Sequence, residues 1–303
     1  MGAPRRILVT GSGGFVGAHL IPVLARAYPG ATITGAKADV TDRDAVQAEI
    51  IGAAPDAVVH LAAIAAIPAA RHDPARAWHV NLQGTLHVAA AVLSHAPVAT
   101  LLFASTADLY GATFRAGTPL DETALLAPLN TYAATKAAAD LALGAMAAEG
   151  LRAIRMRPFN HTGPGQTDAF VVASFAQQVA RIAAGLQAPV LQVGDLSPMR
   201  DFLDVRDVCA AYAMALAADL APGTILNVAS GQPRRVGDVL RDLLDMAGVT
   251  ATIQTDPARL RPTDIPVAAG DASRLRALGW APAIPWAQTL ADTLAAWRHK
   301  IDA

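Results

Sequence analysis

The 303-residue sequence predicts an α/β fold, a doubly wound parallel sheet with a smaller, interleaved C-terminal domain. Three observations carry that expectation. Short apolar runs alternate with longer helical patterns through the first half, as right-handed βαβ crossovers on a parallel sheet require. The runs are near-continuous in apolar residues, which suits strands covered by helices on both faces. After Pro158 the rhythm loosens, and a Gly163-Pro164-Gly165 loop opens a region of shorter elements.

Taken in order, strands are expected at residues 7–9, 31–34, 57–61, 99–104 and 152–156, with helices at 16–27, 43–53, 74–94 and 131–149. Beyond the loop come a helix at 168–185, strands at 190–193 and 202–205, a helix at 207–218 and a strand at 225–229. Helices at 236–247, 272–278 and 286–299 complete the chain. Residues 1–159 with 203–231 then form a dinucleotide-binding domain, and 160–202 with 232–303 a substrate domain. Ligands in such folds bind at the carboxyl ends of the strands, where strand order reverses.

Composition narrows the function. Hydrophobic residues make up 53% of the chain, ample for a buried core, and the net charge of −1 comes with no basic stripe. Neither nucleic acid nor an anionic membrane is therefore an expected partner. The one cysteine, Cys209, excludes an intrachain disulfide and fits a reducing compartment; in its apolar helical setting it reads as a small core residue. Residues 1–6 lead straight into a strand pattern without the apolar core of a signal peptide. The least charged stretch, 77–107, is interrupted by Asn81, Gln83, His87, His95 and Pro97, so it reads as a buried helix and strand, not a membrane span. A cytoplasmic location is expected. His, Asp and Glu do not cluster at ligand spacing, so no metal site is expected.

The first strand runs into Thr10-Gly11-Ser12-Gly13-Gly14-Phe15-Val16-Gly17 and then a helix. Glycine permits the tight turn and lets backbone N–H groups reach a pyrophosphate at the helix N-terminus. Val16 breaks the common G-x-G-x-x-G form; the spacing is G-x-x-G-x-x-G at Gly11, Gly14 and Gly17. The alternative, an ordinary glycine-rich turn, is disfavoured by its place after an N-terminal strand and before a helix, which makes a Rossmann-type site the reading. Further on, Tyr132-Ala133-Ala134-Thr135-Lys136 puts a phenol and an ammonium on one helix face, with a rise of roughly 6 Å between them. The ammonium favours the phenolate. In a carbonyl reduction Tyr132 would supply the proton as general acid.

Together these segments resemble the extended short-chain dehydrogenase/reductase family (NAD-dependent epimerases and dehydratases), from Ile7 to about Trp297. The resemblance implies that Asp39-Val40 meets adenine, that Leu61-Ala62-Ala63 lies beneath the cofactor, and that Asn81 is the family's structural asparagine. Phe103-Ala104-Ser105-Thr106 resembles its Ser/Thr motif, with Thr106 matching the catalytic hydroxyl, or Ser105 if the register is off by one. Lys136 would also bond the nicotinamide ribose. Asp108 stands where sugar dehydratases carry a carboxylate base; in a reductase it would only orient the sugar. The acidic residue that usually holds the adenosine ribose is missing in the shortened stretch 35–41, where Lys37 stands instead. This points to NADP(H) over NAD(H), unless Lys37 is a plain solvated lysine.

The run Asn160-His161-Thr162-Gly163-Pro164-Gly165-Gln166 is similar to that of the branch that reduces GDP-4-keto-6-deoxy-mannose. The resemblance implies contacts to a GDP-linked sugar from Asn160, His161 and Gln166, although His161 alone reads equally as a hydrogen-bonded loop residue. Arg200 and Arg261 resemble the arginines that clamp the diphosphate, a task that suits the guanidinium fork; the alternative is an interdomain ion pair. Arg157 reads as support for its strand end. The implied reaction is reduction of a C4 ketone. The alternatives are 4,6-dehydration or C4 epimerisation on the same scaffold, or a non-catalytic cofactor sensor, against which intact Thr106, Tyr132 and Lys136 argue. The resemblance also implies a homodimer through the helices near 75–95 and 131–149, although plain burial would also explain their apolar content.

Overall fold

The computed structural model describes residues 3–260 and 265–302. In the first half β1 (Arg6–Thr10), β2 (Thr32–Gly35), β3 (Ala57–His60), β4 (Thr100–Ala104) and β5 (Ala153–Pro158) alternate with helices. These are α1 (Phe15–Ala27), α2 (Arg43–Ala53), α3 (Ile67–His72), α4 (Pro74–Trp78), α5 (Thr85–His95) and α6 (Thr131–Ala148). The second half carries β6 (Asn160–Thr162), α7 (Val171–Ala183), β7 (Val190–Val193), β8 (Met199–Asp204), α8 (Val205–Ala217) and β9 (Thr224–Val228). It ends with β10 (Pro233–Arg235), α9 (Val236–Ala247), β11 (Thr252–Thr255), β12 (Val267–Ala268), α10 (Ser273–Ala277) and α11 (Trp286–Asp302).

The main sheet runs β2-β1-β3-β4-β5-β9 and its pairs are parallel. Strand order reverses at β1, the place where a crevice opens. The register aligns the strand ends: Thr10 pairs with His60, His60 with Phe103, and Ala104 with Met156. Consecutive residues face opposite sides, so Ile7 and Val9 pack against α1 and α8 while Leu8, Val58 and Leu101 pack under α2 and α5. Both faces are buried, as the apolar strands imply. Cys209 is fully buried in α8 beneath the first of these layers, and burial pushes its thiol up to about 12.

A third apolar cluster lies in the second half, where α7, α9 and α11 pack around Phe202, Leu191 and Trp297. Here β8 is the central strand: β10 pairs with it antiparallel, and β6 and β12 parallel. These partners are two or three residues long, too short for a sequence pattern to announce. Among the described residues no helix is long and apolar enough to cross a membrane.

One expected element needs correction, and one segment is not expected at all. Residues 74–94 are not one helix: α4 gives way to a π-helical turn, His79–Gly84, before α5. The wider turn accommodates Asn81, which is fully buried, and Gly84, where a Cβ would lie 2.7 Å from Val40 Cγ2. Residues 107–116, beyond the fourth strand, wind as a 3-10 segment kinked at Gly111, whose φ is +46°. A Cβ there would meet the Ala127 carbonyl, so this kink belongs to glycine.

Candidate active site

The loop after β1 closes through a hydrogen bond from Gly14 N–H to Gly11 C=O, 3.0 Å, and α1 begins at Phe15. A Cβ at Gly17 would sit 2.4 Å from Ser12 C=O, so the helix can lie this close to its own loop only with glycine there. The start of α1 has no side-chain cap and no acidic residue in its first turn. Side chains close some other helix N-termini, Asp42 capping α2, Asn130 α6 and Asp204 α8, whereas α3 and α5 also start without a side-chain cap. The first N–H groups of α1 are therefore disposed toward an anion from outside the chain, and a pyrophosphate fits this cradle. Leu61 N–H bonds Thr10 C=O at 3.2 Å and Ala62 N–H bonds the Thr10 hydroxyl at 3.3 Å, which sets the end of β3 against the loop.

Next to it the end of β4 and the start of α6 bring the expected catalytic groups together. Thr106 caps the 107–116 segment by accepting from Asp108 N–H at 3.2 Å, and its hydroxyl interacts with the Tyr132 phenol. Asn130 accepts from Ala133 N–H at 2.9 Å and so fixes the first turn of α6, on which Tyr132 stands. Burial, then the Asp108 charge, pushes the phenol up, so Tyr132 is protonated at neutral pH. Lys136 is not among the groups that shift the Tyr132 phenol. Its ammonium lies 4.0 Å from the centre of the Phe103 ring, and burial pulls it down to about 7 against the opposing pull of Asp140.

Beneath these residues lies a polar framework that joins segments distant in sequence. Asn81 Oδ1 accepts from Ile64 N–H at 2.8 Å, and its Nδ2 donates to Ile64 C=O at 3.1 Å and to Thr135 Oγ1 at 3.0 Å. Asn81 thus ties the loop after β3 to the catalytic helix. His60 bridges Thr10 (2.7 Å) and Thr85 (3.0 Å); since Thr85 donates to Asn81 C=O, His60 Nε2 carries the hydrogen and Nδ1 accepts from Thr10. Burial, with Lys136 adding, holds this imidazole down to about 3. Asp140 accepts from Ser105 Oγ (2.7 Å) and from Arg157 at 2.7 and 3.1 Å. Arg155 reaches the same carboxylate at 3.2 Å. Arg157 supports its strand end, and it donates to Tyr110, which donates to Asn227 at 2.8 Å.

Residues 7–229 match the NAD dependent epimerase/dehydratase family. The chain belongs to that family. It is 40% identical over 301 residues to a GDP-6-deoxy-D-mannose reductase of Pseudomonas aeruginosa, an alignment covering 98% of each protein. Among solved structures, RMD from Pseudomonas aeruginosa complexed with NADPH superposes with a TM-score of 0.90 at 38% identity, covering 97% of this chain and 99% of that one. The UDP-glucose 4-epimerase of Thermus thermophilus in complex with NAD gives 0.84 at 30% identity, covering 97% and 99%.

Several residues singled out from the epimerase/dehydratase pattern have other engagements. Val40 is a core residue whose side chain packs over Gly84, and Asp39 accepts from Thr41 N–H and Oγ1 at 2.9 and 2.8 Å. The His161 ring stacks on Phe15 at 6.3 Å and its Nδ1 contacts Phe159 C=O at 3.0 Å. Gln166 is buried, bonded to Thr162 Oγ1 and His161 C=O, so its amide closes the loop on itself. Asn160 is exposed on β6 beside Phe202 of β8, and Arg200 donates to Met199 and Ile265 carbonyls. Arg261 lies outside the described residues. Lys37 is exposed at the β2–α2 turn, and its backbone N–H, with that of Ala38, bonds the carboxylate of Glu49 on α2. Glu49, Asp140 and His60 escaped sequence reasoning. Only Asp140 left a local trace, one turn beyond Lys136. Among the described residues no metal-ligand cluster occurs.

Proposed function

We propose that this chain is an NAD(P)-dependent nucleotide-sugar oxidoreductase that reduces the C4 ketone of GDP-4-keto-6-deoxy-D-mannose, giving GDP-D-rhamnose or its C4 epimer. The observation that carries the reading is the convergence of Thr106, Tyr132 and Lys136 beside the uncapped α1. The Pseudomonas reductase, 40% identical over 98% of this chain, supports the choice of substrate.

A bound nicotinamide cofactor supplies the hydride. Tyr132, protonated at neutral pH, donates its proton to the C4 oxygen, and Thr106 bonds the same oxygen and positions the phenol. Lys136 would donate to the nicotinamide ribose, and an ammonium on the same helix face as the phenol would favour release of its proton. Gly11, Gly14, Phe15, Val16 and Gly17 hold the pyrophosphate. Asp108 and Asn160 orient the sugar, while Arg200 and Arg261 hold the diphosphate with paired donors. NADP(H) is the preferred cofactor: no carboxylate stands at the end of β2, Glu49 is taken by two backbone amides, and Lys37 is exposed nearby. Residues 160–202 and 232–303 act as the sugar-nucleotide domain. A homodimer forms through α4, α5 and α6, where Trp78 and Leu141 are exposed at 40% and 59%. The enzyme works in the cytoplasm.

Absorbance decay of NADPH and of NADH with GDP-4-keto-6-deoxy-D-mannose tests this, with GDP-mannose as control. Oxidation that depends on the keto sugar, faster with NADPH, is the expected result. Conversion of GDP-mannose without net NAD(P)H loss would replace it with dehydration. The likeness to a UDP-glucose 4-epimerase favours one other reading, C4 epimerisation with recycled cofactor, which NMR of the sugar products would reveal.

A further inference from the structure

We infer that Asp140 is a positioning residue acting through Lys136: one buried carboxylate balances three cations and thereby favours the charged form of the lysine one turn before it on α6. Tyr132, Lys136 and Asp140 follow one another at four-residue spacing and share a face of α6. Asp140 is fully buried and takes Ser105 Oγ at 2.7 Å, Arg157 Nη2 at 2.7 Å, Arg157 Nε at 3.1 Å and Arg155 Nη1 at 3.2 Å. The Ser105 bond also ties the strand end that carries Thr106 to the helix that carries Tyr132. Lys136 is 3% exposed, with its ammonium over the Phe103 ring.

The charged and titratable groups around Lys136 come from four elements. His60 of β3 is neutral and held between two threonines. Arg155 and Arg157 of β5 are cations, Asp108 of the 107–116 segment acts on Tyr132, and Asp140 is the acid that opposes the effect of burial on Lys136. Removing Asp140 would take away the acid that opposes the effect of burial on Lys136, which disfavours its charged form. Removing Arg155 would leave the carboxylate shared between fewer cations, with the opposite effect. Two variants at one cluster therefore shift Lys136 in opposite directions.

Only the catalytic consequence rests on the proposed reading; the charge relation does not. The test accordingly needs no substrate: NMR titration of the full chain carrying 13Cε-labelled lysine. The lysines of the chain are Lys37, Lys136 and Lys300, and Lys136→Met assigns the signal. Asp140→Asn should lower the Lys136 midpoint by about one pH unit or more, and Arg155→Met should raise it by a similar amount. Both variants should melt at lower temperature than wild type, since each breaks a buried ion pair. Lower melting temperatures with an unmoved Lys136 midpoint in both variants would make the cluster purely structural and overturn the proposal. If Asp140→Asn does not fold, the midpoint in Arg155→Met decides alone.

Discussion

The two helices that open onto the site begin differently, and the contrast separates binding from chemistry. Both α1 and α6 start near the carboxyl ends of parallel strands. The start of α6 is closed by the Asn130 side chain, 2.9 Å from Ala133 N–H, and its first turn bears Tyr132. The start of α1 has glycine at its cap, no side-chain bond and no acid in the first turn. A closed N-terminus fixes the direction of the helix and of the phenol it carries. An open one leaves N–H groups and the positive end of the helix dipole for an anion. The α6 end thus holds the Tyr132 phenol still, and the α1 end starts without a side-chain cap.

The largest expected effect breaks the chemical side alone. Tyr132→Phe removes the proton donor and keeps the ring, so kcat should fall by about 10²–10⁴ while NADPH affinity changes little. Stopped-flow turnover beside fluorescence titration of the cofactor would separate the two, and wild-type-like turnover would end the assignment. Next comes Gly17→Ala on the binding side. Its Cβ would lie 2.4 Å from Ser12 C=O and push α1 away from the loop. NADPH affinity should fall at least ten-fold, about 1.4 kcal/mol of binding energy, with melting temperature also lowered. Unchanged affinity by titration calorimetry would show that the loop does not hold the pyrophosphate.

The sequence exposed these two ends unequally. Glycine spacing and Tyr132-x-x-x-Lys136 are local patterns, so both the tight turn before α1 and the shared face of α6 were readable, as was the parallel sheet that places them. The framework beneath them was not. Asp140 meets Ser105 across 35 residues and His60 meets Thr10 across 50, and such partners are defined only once β1, β3 and β4 lie side by side. The side-chain contacts of some residues assigned to adenine and sugar were equally hidden from local pattern. Val40, His161 and Gln166 lie on segments that pack against the body of the protein, and their side chains serve that packing. The break in the helix at 79–84 follows from Asn81, whose amide is drawn toward Ile64 and Thr135.

The smallest effects sharpen the contrast most, because they exchange the character of the two ends. Asn130→Ala opens α6. The lost cap should cost about 1 kcal/mol of stability, and kcat should fall several-fold as the first turn loosens around Tyr132, with NADPH affinity unchanged. Gly14→Asp closes α1: a carboxylate at the cap position can accept from the first-turn N–H groups, and it places negative charge where the pyrophosphate would lie. The new Cβ would stand 3.2 Å from Gly11 C=O, a contact that a small shift of the loop relieves. Stability should therefore change by only a few tenths of a kcal/mol, because glycine is itself a tolerable cap, while NADPH affinity drops. Thermal melts with and without NADPH measure both quantities in one experiment. Gly14→Asp should lose most of the cofactor-induced rise in melting temperature and Asn130→Ala should keep it; if the two variants lose it equally, the open and closed ends do not divide the labour as their geometry says.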